Sequence, residues 1–277
     1  MTMFRIGLAA AALATAACLS VSGAFADEYR GGSFKDAPVV MTSAHRCYFR
    51  GDVGYSWSRD PDVKWTVTDG DPLSPTFGNF ITDAVTNVNI DNAWLLEGGF
   101  GCGPTTGRGL RGELMLGWHG KRGIDGTPGP WNPGPPATSD PLHTSVTTTT
   151  LMFNGYYDLG RFDRFTPYLG AGVGVAYNSM DEVYFTGNPA LTNRIEGDER
   201  WSLAWSLMAG VGVQITERVT LDLGYRYLDV GKAQSGTVDN LGFINPRVRI
   251  DDLTAHEFKV GLRFAFGGGE ACCSVMK

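Results

Sequence analysis

From Phe258 to Phe266 every second residue is large and apolar: Phe258, Val260, Leu262, Phe264 and Phe266. The alternating set, Glu257, Lys259, Gly261, Arg263 and Ala265, is charged or small. Successive side chains of a strand point to opposite faces, so a period of two dictates a strand with one oily and one charged side. A soluble sandwich would turn the oily side inward. A transmembrane barrel inverts that, with the oily side toward lipid and the charged side toward the lumen. One strand cannot choose between them, and the choice falls to the rest of the chain.

Seven earlier stretches repeat the scheme. Residues 47–58 set Phe49, Val53, Tyr55 and Trp57 against Arg50 and Asp52, and residues 92–102 set Trp94, Leu96 and Phe100 against Glu97. Residues 109–119 set Leu110, Leu114, Leu116 and Trp118 against Arg111 and Glu113. Residues 144–157 form the fourth strand. In residues 166–177, Leu169, Val173, Val175 and Tyr177 back onto a glycine row, Gly170, Gly172 and Gly174. Residues 200–215 follow, and residues 219–230 set Leu221, Leu223, Tyr225 and Tyr227 against Asp222 and Arg226. Several of these segments reach the roughly 9–11 residues a tilted transmembrane strand needs.

The connections alternate in length. Residues 59–91, 178–198 and 231–252 read as long loops, as does the stretch after His119, whose Gly/Pro-rich run 126–141 is expected outside any sheet. Residues 104–108, 158–165 and 216–218 are short turns. Short periplasmic turns and long extracellular loops are the habit of outer-membrane barrels, and an even strand number puts both ends in the periplasm. The expected fold is therefore all-β: an eight-stranded antiparallel transmembrane β-barrel with four long extracellular loops. A soluble lipocalin-like barrel is the alternative, and it would carry its charges outside.

The N-terminus agrees with an exported protein. Arg5, the apolar run 6–19 and Ala24-Phe25-Ala26 make a signal peptide over residues 1–26, cut before Asp27. A lipid anchor on Cys18 is the competing reading, but the residues before that cysteine are Thr15, Ala16 and Ala17. Residues 27–45 read as an aperiodic periplasmic leader, residues 46–266 as the barrel and residues 267–277 as a tail. The formal charge of −6 becomes more negative when Arg5 leaves with the signal, which argues against nucleic acid as a partner.

With these residues in view, the chain resembles the small eight-stranded outer-membrane surface proteins of Gram-negative bacteria, of the OmpA-like or OmpX-like alphaproteobacterial type. The resemblance spans nearly the whole mature chain and rests on YFRGDVGYS (residues 48–56), TPYLGAGVGVAY (166–177), LDLGYRYLD (221–229) and the closing aromatic strand. It implies that Phe258, Phe264 and Phe266 form the signal read by the outer-membrane assembly machinery. It departs from the family pattern in the eleven residues after Phe266.

The inward parity collects Arg50, Asp52, Glu97, Arg111, Glu113, Asp222, Arg226, Glu257, Lys259 and Arg263. An eight-stranded bore is just wide enough for side chains to fill, so these are expected to be buried ion pairs, with no pore of porin width. The four histidines do not cluster at metal-ligand spacing, and no cofactor is called for. Some barrels of this size modify lipid A with a His/Ser pair, and His143-Thr-Ser145 has that look, with no carboxylate placed beside it by the sequence. Cys47 and Cys102 share a face at one end of neighbouring strands, open to a disulfide or to free thiols. Cys272 and Cys273 carry no assignment.

Three functions follow: a structural envelope and surface-display protein bedded in lipid and lipopolysaccharide, a module whose loops capture a host surface or a small ligand such as haem, or a lipid A-modifying enzyme. Catalysis is not expected. The sidedness has its own test: Leu223→Arg or Val260→Arg, on the oily parity near mid-strand, is expected to cost about 2–4 kcal/mol, as charges do at the bilayer midplane. Folding yield into liposomes measures it, and a wild-type yield for Val260→Arg would reverse inside and outside.

Overall fold

The computed structural model describes residues 45–68, 80–104, 107–128, 141–186, 194–239 and 247–266. The expected signal peptide, most of the leader and the tail lie outside the described residues, as do Cys18, Cys272 and Cys273. Fourteen strands are present among the described residues: β1 (His45–Ser58), β2 (Asp62–Thr68), β3 (Phe80–Ile90), β4 (Ala93–Pro104), β5 (Arg108–Pro128), β6 (Leu142–Leu159) and β7 (Phe165–Met180). Then come β8 (Val183–Phe185), β9 (Arg194–Gly197), β10 (Glu199–Gln214), β11 (Val219–Asp229), β12 (Ala233–Asp239), β13 (Val248–Asp251) and β14 (Thr254–Phe266).

Eight of them pair antiparallel in the ring β1–β4–β5–β6–β7–β10–β11–β14, and β14 returns to β1 with Cys47 opposite Phe266 and Ser58 opposite Ala255. The other six form a second circuit at one end. It runs from β6 through β8, β9, β12, β13, β2 and β3 to β5, so β5 and β6 belong to both rings. At 21 and 18 residues, these two shared strands are roughly twice as long as a membrane crossing requires.

The second ring corrects the sequence reading, which left β2, β3, β8, β9, β12 and β13 as loops. Strands β8, β9 and β13 are only three or four residues long, and their inward faces carry one or two apolar residues each, Val183 and Phe185, Ile195, or Val248 and Ile250. No period shows in so brief a window. The Gly/Pro-rich run was also placed wholly outside the sheet, yet β5 continues through Gly126, opposite Leu142, to Pro128. Proline is tolerated there because it ends the strand. At the N-terminal end β1 takes in His45, which the sequence reading had left in the leader.

The two rings have opposite polarity. In the first, Trp94, Leu96, Leu110 and Leu203 stand outward, each more than 60% exposed, and the inside is largely charged and polar, with Leu95, Met115, Met152 and Met208 packed among those groups. In the second, Ile124, Leu142, Val146, Val183, Ile195, Val248 and Ile250 are fully buried inward, while Lys121, Asp125, Asp181 and Arg249 face out. A soluble-type apolar core therefore sits on top of a polar lumen. A bulge marks the join: the β5–β6 register shifts between His119 and Arg122, so odd residues of β5 face inward up to His119 and even residues from Arg122 onward.

This core is expected to unfold separately from the ring below it. Ile250→Ala, a truncation worth about 2–5 kcal/mol in a packed core, should open the second ring to trypsin at Arg249 and Arg194 at temperatures where the first ring keeps its heat-modifiable gel migration. Simultaneous loss of both would mean that the rings form one cooperative unit.

Candidate functional site

The lumen is the most chemically distinctive place in the molecule. Each inward position of the eight-strand ring aims at the same axis, so residues far apart in sequence converge in layers. All ten inward residues singled out in the sequence lie there, Arg263 at the edge with 12% side-chain exposure and the others buried. Nearest the short turns, the Arg50 guanidinium donates to Asp52 at 2.8 Å and to Glu113 at 3.1 Å. Tyr48 donates its hydroxyl to Glu113 at 2.6 Å, Arg111 ion-pairs with Glu113 and with Asp158, and Arg263 ion-pairs with Asp222. The Arg111 guanidinium also lies 4.2 Å from the ring centre of Tyr156 and 5.0 Å from that of Tyr168, within cation–π range.

The next layer is centred on Arg226. It reaches Glu97 at 2.5 Å and Glu257 at 2.6 Å, while Lys259 reaches Glu97 at 2.7 Å and Asp52, in the layer below, at 3.4 Å. The His119 ring nitrogen Nε2 lies 2.9 Å from the second oxygen of Glu257. Above, Arg122 donates to Ser58 at 3.1 Å and Thr148 at 2.8 Å, and the charges then give way to the apolar core. Arg50, Arg111, Arg122, Arg226, Lys259 and Arg263 face Asp52, Glu97, Glu113, Asp158, Asp222 and Glu257. Six cations meet six carboxylates, which is what a buried interior must approach, because an unpaired charge there is costly.

The sequence reading missed Asp158, His119 and Arg122. Asp158 had been assigned to a turn, although it shares the inward parity of its strand with Tyr156 and Asn154. His119 shares parity with Arg111 and Glu113, a signal that was available. Arg122 falls in the stretch after His119 that reads as a long loop, which β5 enters through the bulge. Lumen glycines make room for these groups: a side chain on Gly261 would collide with the Asp52 carboxylate, and one on Gly172 would collide with Asn154 and Ser206.

Outside the lumen, the structure joins Cys47 to Cys102 by a disulfide, with Cα atoms 4.0 Å apart on the paired strands β1 and β4. Phe258, Phe264 and Phe266 all stand on the outer surface, and Phe266 stacks on Phe49 at 4.5 Å. On the outer rim, His143 Nδ1 lies 2.5 Å from Asp125, a carboxylate the sequence did not place there. Ser145, however, donates to Asp181 at 2.8 Å rather than engaging His143. A Thr186 hydroxyl stands 3.3 Å from His143 Nε2. Among the described residues no group of His, Cys, Asp and Glu could hold a metal ion.

An oily belt around a closed antiparallel ring with a charged interior defines an integral outer-membrane β-barrel. The chain belongs to the outer membrane protein beta-barrel domain family, whose family model matches residues 9–266. It is 28% identical over 261 residues to an uncharacterised protein of Brucella suis biovar 1, covering 83% of this chain and 88% of that one. A putative adhesin of Rickettsia bellii is 31% identical over 119 residues, 42% of this chain and 52% of the relative. The crystal structure of OprG from Pseudomonas aeruginosa aligns with 82% of this chain and 98% of its own at 17% identity and a TM-score of 0.47. Membership rests on the family model. The protein resides in the outer membrane of a Gram-negative envelope and serves a general envelope and surface role.

The layered ion pairs generate a graded expectation. Arg226→Leu leaves Glu97 and Glu257 without their shared partner in a fully buried setting, a loss of about 3–5 kcal/mol. Arg263→Leu, at the partly exposed edge, should lower the urea midpoint in detergent by less. Equal midpoints for both variants and wild type would mean that the interior is not a packed polar core.

Proposed function

We propose that the eight-strand ring is the transmembrane barrel, that its short turns face the periplasm, and that the second ring stands outside the cell as a rigid platform. The observation that carries this is the change of sides along β5 and β6. Where the outer face is oily the inside is mostly polar or charged, and beyond the level of the β5 bulge the outer face is polar and the inside mostly apolar. Lipid and water are the two solvents that reward those two arrangements. The protein then acts as a structural, non-conducting barrel that displays a folded surface. Phe258, Phe264 and Phe266 fit the assembly signal, and lipid and lipopolysaccharide are the surroundings of the exposed aromatic belt of Trp57, Trp94, Trp201 and Trp205.

A second reading, adhesion or ligand capture through the platform, is favoured by the partial likeness to a putative adhesin. The outer edges of the platform carry mixed charge, with Lys64 and Lys232 both paired to Asp251 at 3.5 and 3.0 Å. That surface suits a polar partner better than haem. The His143/Ser145 pairing expected of a lipid A-modifying enzyme draws no support from the rim, where the two side chains turn to different carboxylates.

The purified protein in planar bilayers should show no stable conductance step, and trypsin added to intact cells should cut at the platform while leaving the turn at Arg218 untouched. Steady ohmic channels, or cleavage at Arg218 from outside, would overturn the closed barrel or its orientation respectively.

A further inference from the structure

Below the balanced charges of the lumen, at the end closed by the short turns, lies a cavity of about 140 Å³ lined by Arg46, Arg111, Arg161 and Arg263, with Asp158 and Glu217 as its carboxylates. Arg111 and Arg263 are already paired with Glu113, Asp158 and Asp222. Arg46 and Arg161 are not: among the described residues neither forms an ion pair. Each is instead held by a backbone carbonyl, Arg46 Nη1 by Glu217 at 3.0 Å and Arg161 Nε by Asp163 at 3.0 Å. A further donor of the fork, Arg46 Nε, is buried without a partner among the described residues.

A guanidinium fixed by one contact, with a buried donor left over, is poised for a planar oxyanion, since arginine recognises carboxylates through paired parallel hydrogen bonds. The interior needs neither arginine for neutrality, because its six cations and six carboxylates match without them. The walls are inward-facing residues such as Tyr48, Thr166 and Thr220, so the cavity opens along the barrel axis and not through the lipid-facing wall. A membrane phospholipid, whose headgroup lies outside that wall, is poorly placed to enter.

We propose that Arg46 and Arg161 form a binding site for a carboxylate presented along the barrel axis from the periplasm, as on an acidic peptide. The placement in the periplasm rests on the orientation proposed above; the binding itself does not. The Cys47–Cys102 bond, beside Arg46 on one strand and Gly103 on the next, pins the wall from which Arg46 projects.

The test uses the full chain in phosphatidylcholine nanodiscs and a fluorescein-labelled peptide of alternating Gly and Glu, read by anisotropy, with the Gly/Gln peptide as the neutral control. The acidic peptide should bind, and Arg46→Gln and Arg161→Gln should each weaken it roughly tenfold or more, the scale of losing charge-assisted hydrogen bonds. Arg218→Gln, on a neighbouring turn outside the cavity, should change binding less than twofold. Unaltered gel heat-modifiability certifies that the variants fold. Equal losses for all three variants would reduce the effect to general charge, and displacement of the peptide by phosphatidylglycerol in the nanodisc would make the site one for lipid phosphate. Either result overturns the proposal, as does absence of binding, and none of them bears on the orientation, which protease access tests separately.

Discussion

In hydrocarbon no water can complete a backbone hydrogen bond, and the closed ring of eight strands follows from that. The only sheet that survives there is one without edges. Closure falls to β1 and β14, the first and last strands, which pair along their shared length from Cys47 and Phe266 to Ser58 and Ala255. Once eight strands close, the bore has the width of packed side chains and must be filled. The outer face is committed to lipid. An apolar inner face as well would make each strand oily on both sides, so the inside is polar, and polar groups at that depth must satisfy one another.

Beyond the oily belt the same strands turn polar residues outward, and the logic reverses. β5 and β6 do not stop where the oily belt ends; they continue with polar residues outside and Ile124, Leu142 and Val146 inside. Hydrophobic burial holds an element whose outer face is polar, so the six strands of the second ring can be held by an apolar core. The bulge between His119 and Arg122 is the local device at the change, letting β5 exchange the parity of its inward set without leaving the sheet.

How much of this was legible in the sequence depends on length of pattern. The eight long strands announced themselves because each repeats apolar against charged or glycine over many residues, as Phe258 to Phe266 does, and the ten inward charges followed from that parity. Strands β8, β9 and β13, of three or four residues, offer no period to read. Their membership is decided by what packs under them: Val183, Ile195 and Ile250 converge from separate loops on one core, a tertiary fact. Arg122 and Asp125 both lie in the stretch after His119 that reads as a loop; β5 carries them on past its bulge, and strand pairing sets Asp125 beside His143.

The ion pairs inside the barrel are a poor candidate for the source of its stability, since a buried pair roughly breaks even against apolar side chains of the same volume. What they do supply is register. A strand that slips by one residue turns every side chain to the opposite face. Here such a slip would thrust Arg226 or Glu97 into lipid and leave carboxylates on the other strands unpaired. Moreover the pairs cross the bore: Arg226 on β11 meets Glu97 on β4, Lys259 on β14 meets the same Glu97, and His119 on β5 meets Glu257 on β14. Backbone ladders fix each strand only to its two neighbours and can be satisfied in several registers. Contacts across the lumen couple strands that share no ladder, so an error in one register is felt by all of them, and the correct closure is the one in which every charge finds its partner.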